Sequence, residues 1–155
     1  MNPKIVAALE LAIPAEIAAA DLYVRLADKA TNEDTRKLFQ SLTADERRHR
    51  QLLEARYQTE AGRAYAAGPV RQLRLPADAS EMLWPAALTL AINGEADAHE
   101  AYVKSASSET DPGARAMYEI LAEDEAGHRR LLEAEYAARL GQPFSDYELE
   151  SWVRE

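Results

Sequence analysis

The chain has no cysteine in its 155 residues. Disulfides, zinc–thiolate sites, iron–sulfur clusters and thiol catalysis are therefore excluded. Any metal must be held by His, Asp or Glu, which are harder ligands. β-Branched residues are sparse, whereas Ala, Leu, Glu and Arg dominate, a mixture that favours helix. Positive charge is also in deficit: 18 Lys and Arg against 27 Asp and Glu leave a net charge of −9. An acidic surface with no basic stripe repels nucleic acid and anionic membranes, so neither is an expected partner. No apolar run reaches transmembrane length. The N-terminal stretch carries acids at Glu10, Glu16 and Asp21 and reads as a poor signal peptide. The expectation is a cytoplasmic protein forming one domain over residues 1–155.

The chain does contain a repeat. Shifting it by 79 positions aligns residues 7–57 with 86–136 without a gap, and 23 of the 51 pairs are identical. Chance would give roughly 10% in helices of this biased composition. Each unit reads as two helices. The first spans about 3–30, with Pro14 either kinking it or marking its regular start. Thr31-Asn32-Glu33-Asp34 has turn and N-cap chemistry, and a second helix follows over about 34–60. Gly62, Gly68, Pro69 and Pro76 interrupt the stretch 61–80. It reads as a long crossover carrying Arg63, Arg71 and Arg74, either a solvated loop or a dock for an acidic redox partner. A third helix is expected over about 81–108 and, after a turn at Asp111-Pro112-Gly113, a fourth over about 114–140, closed by Gly141 and Pro143. Ser145-Asp146-Tyr147-Glu148 resembles a capping box opening a short terminal helix. The fold class is all-α: an antiparallel four-helix bundle of two repeated hairpins joined by a long crossover.

Polar residues stand where this fold wants apolar ones. Spacing of 3-4-3-4 puts Phe39, Leu42, Glu46, His49 and Leu53 on one seam of the second helix. The fourth helix repeats this with Tyr118, Leu121, Glu125, His128 and Leu132. Leu9, Glu16 and Tyr23 form a seven-residue series in the first helix, as do Leu88, Glu95 and Tyr102 in the third. A Glu and a His three residues apart lie about 60° apart around the axis and about 4.5 Å along it, so both can reach one ion. Each hairpin turns midway between its two Glu residues, which places both at one level, roughly 22 Å from the turn.

One seam Glu is usually a snorkelling boundary residue, and a lone His is more often a satisfied core histidine. Six such residues in two symmetric, level sets are a different matter. Each ionised carboxylate stranded in an apolar core would cost about several kcal/mol. Like charges would push some to protonate. No Lys or Arg lies on these seams. Two divalent cations would balance four carboxylates, and a donor set of four Glu and two His suits iron or manganese better than structural zinc. Asp45 and Asp124 are candidates to accept the second N–H of the ligating histidines. His99, whose repeat partner is Ala20, is not expected among the ligands.

These motifs are Glu16-x-x-Ala19-x-x-x-Tyr23, Asp45-Glu46-Arg47-Arg48-His49, Glu95-x-x-Ala98-x-x-x-Tyr102 and Asp124-Glu125-Ala126-Gly127-His128. Through them, nearly all of residues 5–140 resembles the ferritin-like diiron proteins, rubrerythrins and their erythrin relatives in particular. The resemblance implies two iron ions, with manganese as an alternative. Glu16 and Glu95 would be terminal ligands, Glu46 and Glu125 bridging ligands, and His49 and His128 one ligand for each metal. Tyr23 and Tyr102 would hydrogen-bond the ligands or pass electrons; they also read as core aromatics with a bonded hydroxyl. Two departures stand out. Full rubrerythrins carry a cysteine-ligated rubredoxin module, which this chain lacks, so the electron donor must be external. The family also tends to carry an extra Glu one turn after the third-helix ligand, where this chain has Ala98, mirrored by Ala19.

The leading expectation is an oxidoreductase that reduces hydrogen peroxide or O₂ at a carboxylate-bridged diiron centre, with Glu46 and Glu125 holding the metals and buffering charge. A second is iron binding, ferroxidase activity or iron storage. A third is a metal-free structural bundle. A homodimer is the candidate assembly.

Overall fold

A computed structural model describes residues 1–78 and 80–145. Its four helices are α1 (Pro3–Lys29), α2 (Glu33–Ala61), α3 (Leu83–Ser108) and α4 (Pro112–Leu140). There is no strand among the described residues. The expected terminal helix falls on residues 146–155 and lies outside them.

Caps explain the helix boundaries. Asn2, Asn32 and Asp111 each accept a hydrogen bond from a backbone N–H in the first turn, of Lys4, Thr35 and Ala114 respectively. Gly62 and Gly141 close α2 and α4 at φ 68° and 69°, a left-handed conformation that suits only glycine without strain. The expected turn at Asp111-Pro112-Gly113 is only partly one. Asp111 is the cap, and Pro112 already occupies the first helical turn, where its missing N–H costs nothing. The third helix begins two residues later than expected, with Ser80 Oγ accepting from the Met82 N–H just ahead of it. Pro14 neither starts nor ends α1, which runs through it unbroken. Glu10, whose carbonyl loses its partner there, lies on the exposed side next to buried Leu9 and Ile13.

α1 packs along α2 and α3 along α4, and the hairpins meet through α1–α3 and α2–α4. The crossover runs back along α1. Near its start Arg63 lies 4.0 Å from Glu10, and further on Arg25 donates to the Leu73 carbonyl at 2.9 Å. Lys29, at the C-terminal end of α1, pairs with Asp78. The crossover thus carries the chain the length of the bundle and starts α3 where α1 ends.

The apolar core is split. One cluster contains Tyr23, Ala27, Phe39, Leu42, Leu88, Ile92, Leu132 and Tyr136. Their eight repeat partners, Tyr102, Ala106, Tyr118, Leu121, Leu9, Ile13, Leu53 and Tyr57, are in the other. The repeat is therefore a pseudo-twofold that exchanges the two ends of the bundle. On every helix the seam Glu, or Glu and His, falls in sequence between the residues of the two clusters.

Candidate metal centre

Ordinary helix–helix packing puts all six seam residues inside. Glu16, Glu46, His49, Glu95, Glu125 and His128 are buried, none more than 4% exposed. They form two groups, Glu16 with Glu46, His49 and Glu125, and Glu95 with Glu46, Glu125 and His128. Within each group one ligand atom per residue lies within 4.8 Å of all the others, a spread that fits one ion. Glu46 and Glu125 belong to both groups. The two rings stack with centroids 5.6 Å apart and planes at 18°.

Each imidazole turns Nδ1 inward. His49 Nδ1 lies 3.0 Å from Glu125, 3.5 Å from Glu46 and 3.6 Å from Glu16. His128 Nδ1 lies 3.0 Å from Glu46, 3.2 Å from Glu125 and 3.5 Å from Glu95. The outward nitrogens each meet a carboxylate of the opposite repeat: His49 Nε2 is 3.0 Å from Asp124, and His128 Nε2 is 3.0 Å from Asp45. Arg48 spans both acids, at 3.0 Å from Asp45 and 3.1 Å from Asp124. The tyrosines also cross between repeats: the Tyr23 hydroxyl donates to Glu95 and the Tyr102 hydroxyl to Glu16. His99 stands apart, with Nδ1 2.7 Å from the Ala122 carbonyl. Sequence reasoning missed Arg48 as the link between the two aspartates; its place one residue before His49 is the signal that could have found it.

The electrostatics show what such a cluster costs without a cation. Burial alone would lower the His49 pKa, but hydrogen bonds to Glu125, Glu16 and Glu46 outweigh it and push it up to about 12. His128 is raised in the same way, burial being outweighed by Glu125, Glu46 and Glu95. Burial lifts Glu95 to about 7. Burial and the hydrogen bond with Glu16 push Glu46 well above the usual carboxylate range. Burial would raise Glu16 and Glu125 too. Glu16 is held low instead by hydrogen bonds with Glu46, His49 and Tyr102, and Glu125 by those with His128, His49 and Glu95. Burial, then the nearby carboxylates, raises both tyrosines, so their hydroxyls stay protonated as donors. Without metal, the two imidazoles are held in their protonated form and Glu46 is pushed toward its neutral form, while Glu95, at about 7, is divided between the two forms near neutral pH.

Openings reach this cluster from several sides, one of them beside His128, Asp45 and Asp124. Another, of about 280 Å³ between α1 and α2, is lined by Asp21, Arg47 and Arg50 along with Glu16 and Glu46. A third, of about 200 Å³ between α1 and α3, has mainly small and apolar walls.

Fold and site together define a ferritin-like four-helix bundle with a buried carboxylate–histidine cluster able to hold metal. The sequence pattern described as Rubrerythrin matches residues 7–136, and the chain belongs to that family. Among solved structures it is similar to a hypothetical protein from Pyrococcus furiosus, at 26% identity and a TM-score of 0.76 over 91% of this chain and 93% of that one. It is also similar to the bacterioferritin-related dodecameric thioferritin of Bacteroides fragilis, at 17% identity and a TM-score of 0.72 over 97% and 91%. A third is Rhodobacter capsulatus bacterioferritin, described with a metal-free dinuclear site, at 23% identity and a TM-score of 0.67 over 90% and 89%. No curated protein matches the sequence. No helix among the described residues is long and apolar enough to cross a membrane.

Proposed function

We propose that the cluster holds two iron ions, manganese being the alternative metal, and that the protein is an oxidoreductase reducing hydrogen peroxide or O₂. The observation that carries this reading is the sharing of Glu46 and Glu125 between two otherwise separate donor groups. A shared pair of carboxylates is what bridging two ions requires. Glu16 and His49 would complete one ion's ligands, and Glu95 and His128 the other's. The donor set fits on charge, because two divalent ions balance four carboxylates. It fits on orientation, because each His presents one nitrogen to the cluster while a carboxylate fixes the other.

When bound, the metal pair would supply two electrons, which with two protons take hydrogen peroxide to two waters or O₂ to hydrogen peroxide. The chain supplies the rest. Glu46 and Glu125 offset charge as electrons arrive. Tyr23 and Tyr102 hold protons at the hydroxyls bonded to Glu95 and Glu16. Asp45 and Asp124 hold the imidazoles in place. These 155 residues hold no cysteine to bind a thiolate redox centre, so the electrons would come from a donor outside the bundle.

Iron loading of metal-free protein under anaerobic conditions, followed by mixing with peroxide or O₂, tests the reading. Uptake of two irons per chain and faster oxidation by peroxide than by O₂ are expected. Oxidation no faster than that of free ferrous ion would overturn the enzymatic reading. The second reading, iron storage, draws on the likeness to the dodecameric B. fragilis protein and to R. capsulatus bacterioferritin. It requires a large assembly loaded with many irons per chain, which sizing and iron analysis together detect.

A further inference from the structure

The cavity between α1 and α3 is a poor place for a polar reactant. Ala19, Ala91 and Ala98 wall it, the repeat pair Ala15 and Gly94 sits exposed at its mouth, and Leu73 of the crossover covers one side. A Cβ added at Gly94 would meet nothing within 4 Å, so the space there is open. Apart from carboxyl groups, the only side-chain donor on its walls is the Tyr23 hydroxyl, already committed to Glu95. At its inner end lie the cluster's four acids, Glu16, Glu46, Glu95 and Glu125, of which Glu46 and Glu125 are common to both donor groups. Leu73 is pinned there by the hydrogen bond from Arg25 to its carbonyl. A polar molecule finds charged walls instead at the α1–α2 opening, beside Arg47 and Arg50.

We propose that the α1–α3 cavity is a binding subsite for a small, uncharged, apolar molecule, held against the carboxylate side of the cluster. Size sets the upper limit. An apolar cavity of roughly 150 Å³ stays dry and takes up benzene or xenon, and drug-sized ligands need about 300 Å³ or more. At about 200 Å³ this one suits a molecule little larger than a benzene ring. Ala19 and Ala98 decide it: a longer or charged side chain at either position would fill the space or make it polar. The inference rests on the proposed function only for what the molecule meets at the inner end; binding itself needs no metal.

Benzene is the probe, added to the metal-free protein while the methyl resonances of Ala19, Ala98 and Leu73 are followed by NMR. Saturable shifts confined to these methyls are expected, with Ala98→Phe weakening binding at least about tenfold. Ala19→Leu repeats the test should Ala98→Phe fail to fold. Shifts that never saturate, shifts unchanged in the folded filled variants, or saturation at exposed Leu11 and Ile120 instead would overturn the subsite. Iron uptake by the same samples separates the two readings. Iron uptake without benzene binding overturns the subsite alone, and benzene binding without iron uptake supports the subsite and overturns the metal reading.

Discussion

His49 Nε2 lies 3.0 Å from Asp124 Oδ2, in the opposite repeat, and the pseudo-twofold makes the same bond between His128 and Asp45. Each half of the chain therefore orients the other half's histidine. Asp124→Asn keeps the shape but weakens the grip on the imidazole. It should lower metal affinity by about 10–100-fold and leave the helical content intact. Competition titration against a chelator reads the first, and circular dichroism the second. Asp45→Asn should match it, whereas Asp45→Leu alone should disturb His128 before His49.

Sharing of Glu46 sets up a test of position. Glu16 belongs to one donor group and Glu46 to both. Glu16→Ala should leave about one iron per chain tightly held, while Glu46→Ala should weaken both ions. Iron per chain after gel filtration distinguishes them. Equal losses in the two variants would contradict the bridging assignment.

Metal uptake should release protons. Two come from His49 and His128, one from Glu46 and a fraction of one from Glu95, whose pKa is about 7, so loading near neutral pH should release about three to four protons for two ions. Affinity should fall as pH is lowered, because the protons compete. Stability of the metal-free protein should move the other way on the alkaline side. The His49 pKa is raised from 6.5 to about 12, so its contribution is complete below pH 6.5 and is lost as pH rises toward 12. Glu95, raised from 4.5 to about 7, gives a contribution lost between those values. Glu16 and Glu125 are lowered from 4.5, so theirs is present above that value and lost as pH falls through their folded pKa values. Urea midpoints of the metal-free protein should therefore begin to decline above about pH 4.5 through Glu95 and Glu46 and decline further above pH 6.5 through His49, and pH-stat titration counts the protons.

Tyr102→Phe removes the one hydroxyl hydrogen bond that the other repeat makes to Glu16. Leaving the carboxylate short of a partner should cost about 1–3 kcal/mol of metal-free stability, read by urea unfolding. Iron per chain should hold at two. Turnover of peroxide should fall at least about tenfold, because the proton held beside the cluster is gone. Unchanged turnover would leave the tyrosine a packing role alone.

The sequence displayed the parts of this fold that depend on periodicity and caps. Asn32, Gly62, Asp111 and Gly141 mark helix ends because a side-chain oxygen or a left-handed backbone is needed there. The seam positions of the six ligand candidates were legible because helix spacing decides which residues face inward. What periodicity cannot carry is the relative placement of distant segments. Which aspartate serves which histidine depends on how the hairpins are rotated against each other, and spacing along one helix is silent on that. The run of the crossover along α1 depends on particular contacts, Arg25 with Leu73 and Lys29 with Asp78, within a segment that has no period. Pro14 was ambiguous because local propensity argued against helix there. Burial of Leu9 and Ile13 on one side, with Glu10 exposed on the other, decided it.

The buried acids are proposed to hold a pair of ions. Anomalous diffraction at the iron edge from crystals of iron-loaded protein tests this most directly. Two peaks are predicted inside the bundle, one beside Glu16 and His49, the other beside Glu95 and His128, with Glu46 and Glu125 between them. No peak there, or iron found only at surface carboxylates, would contradict it.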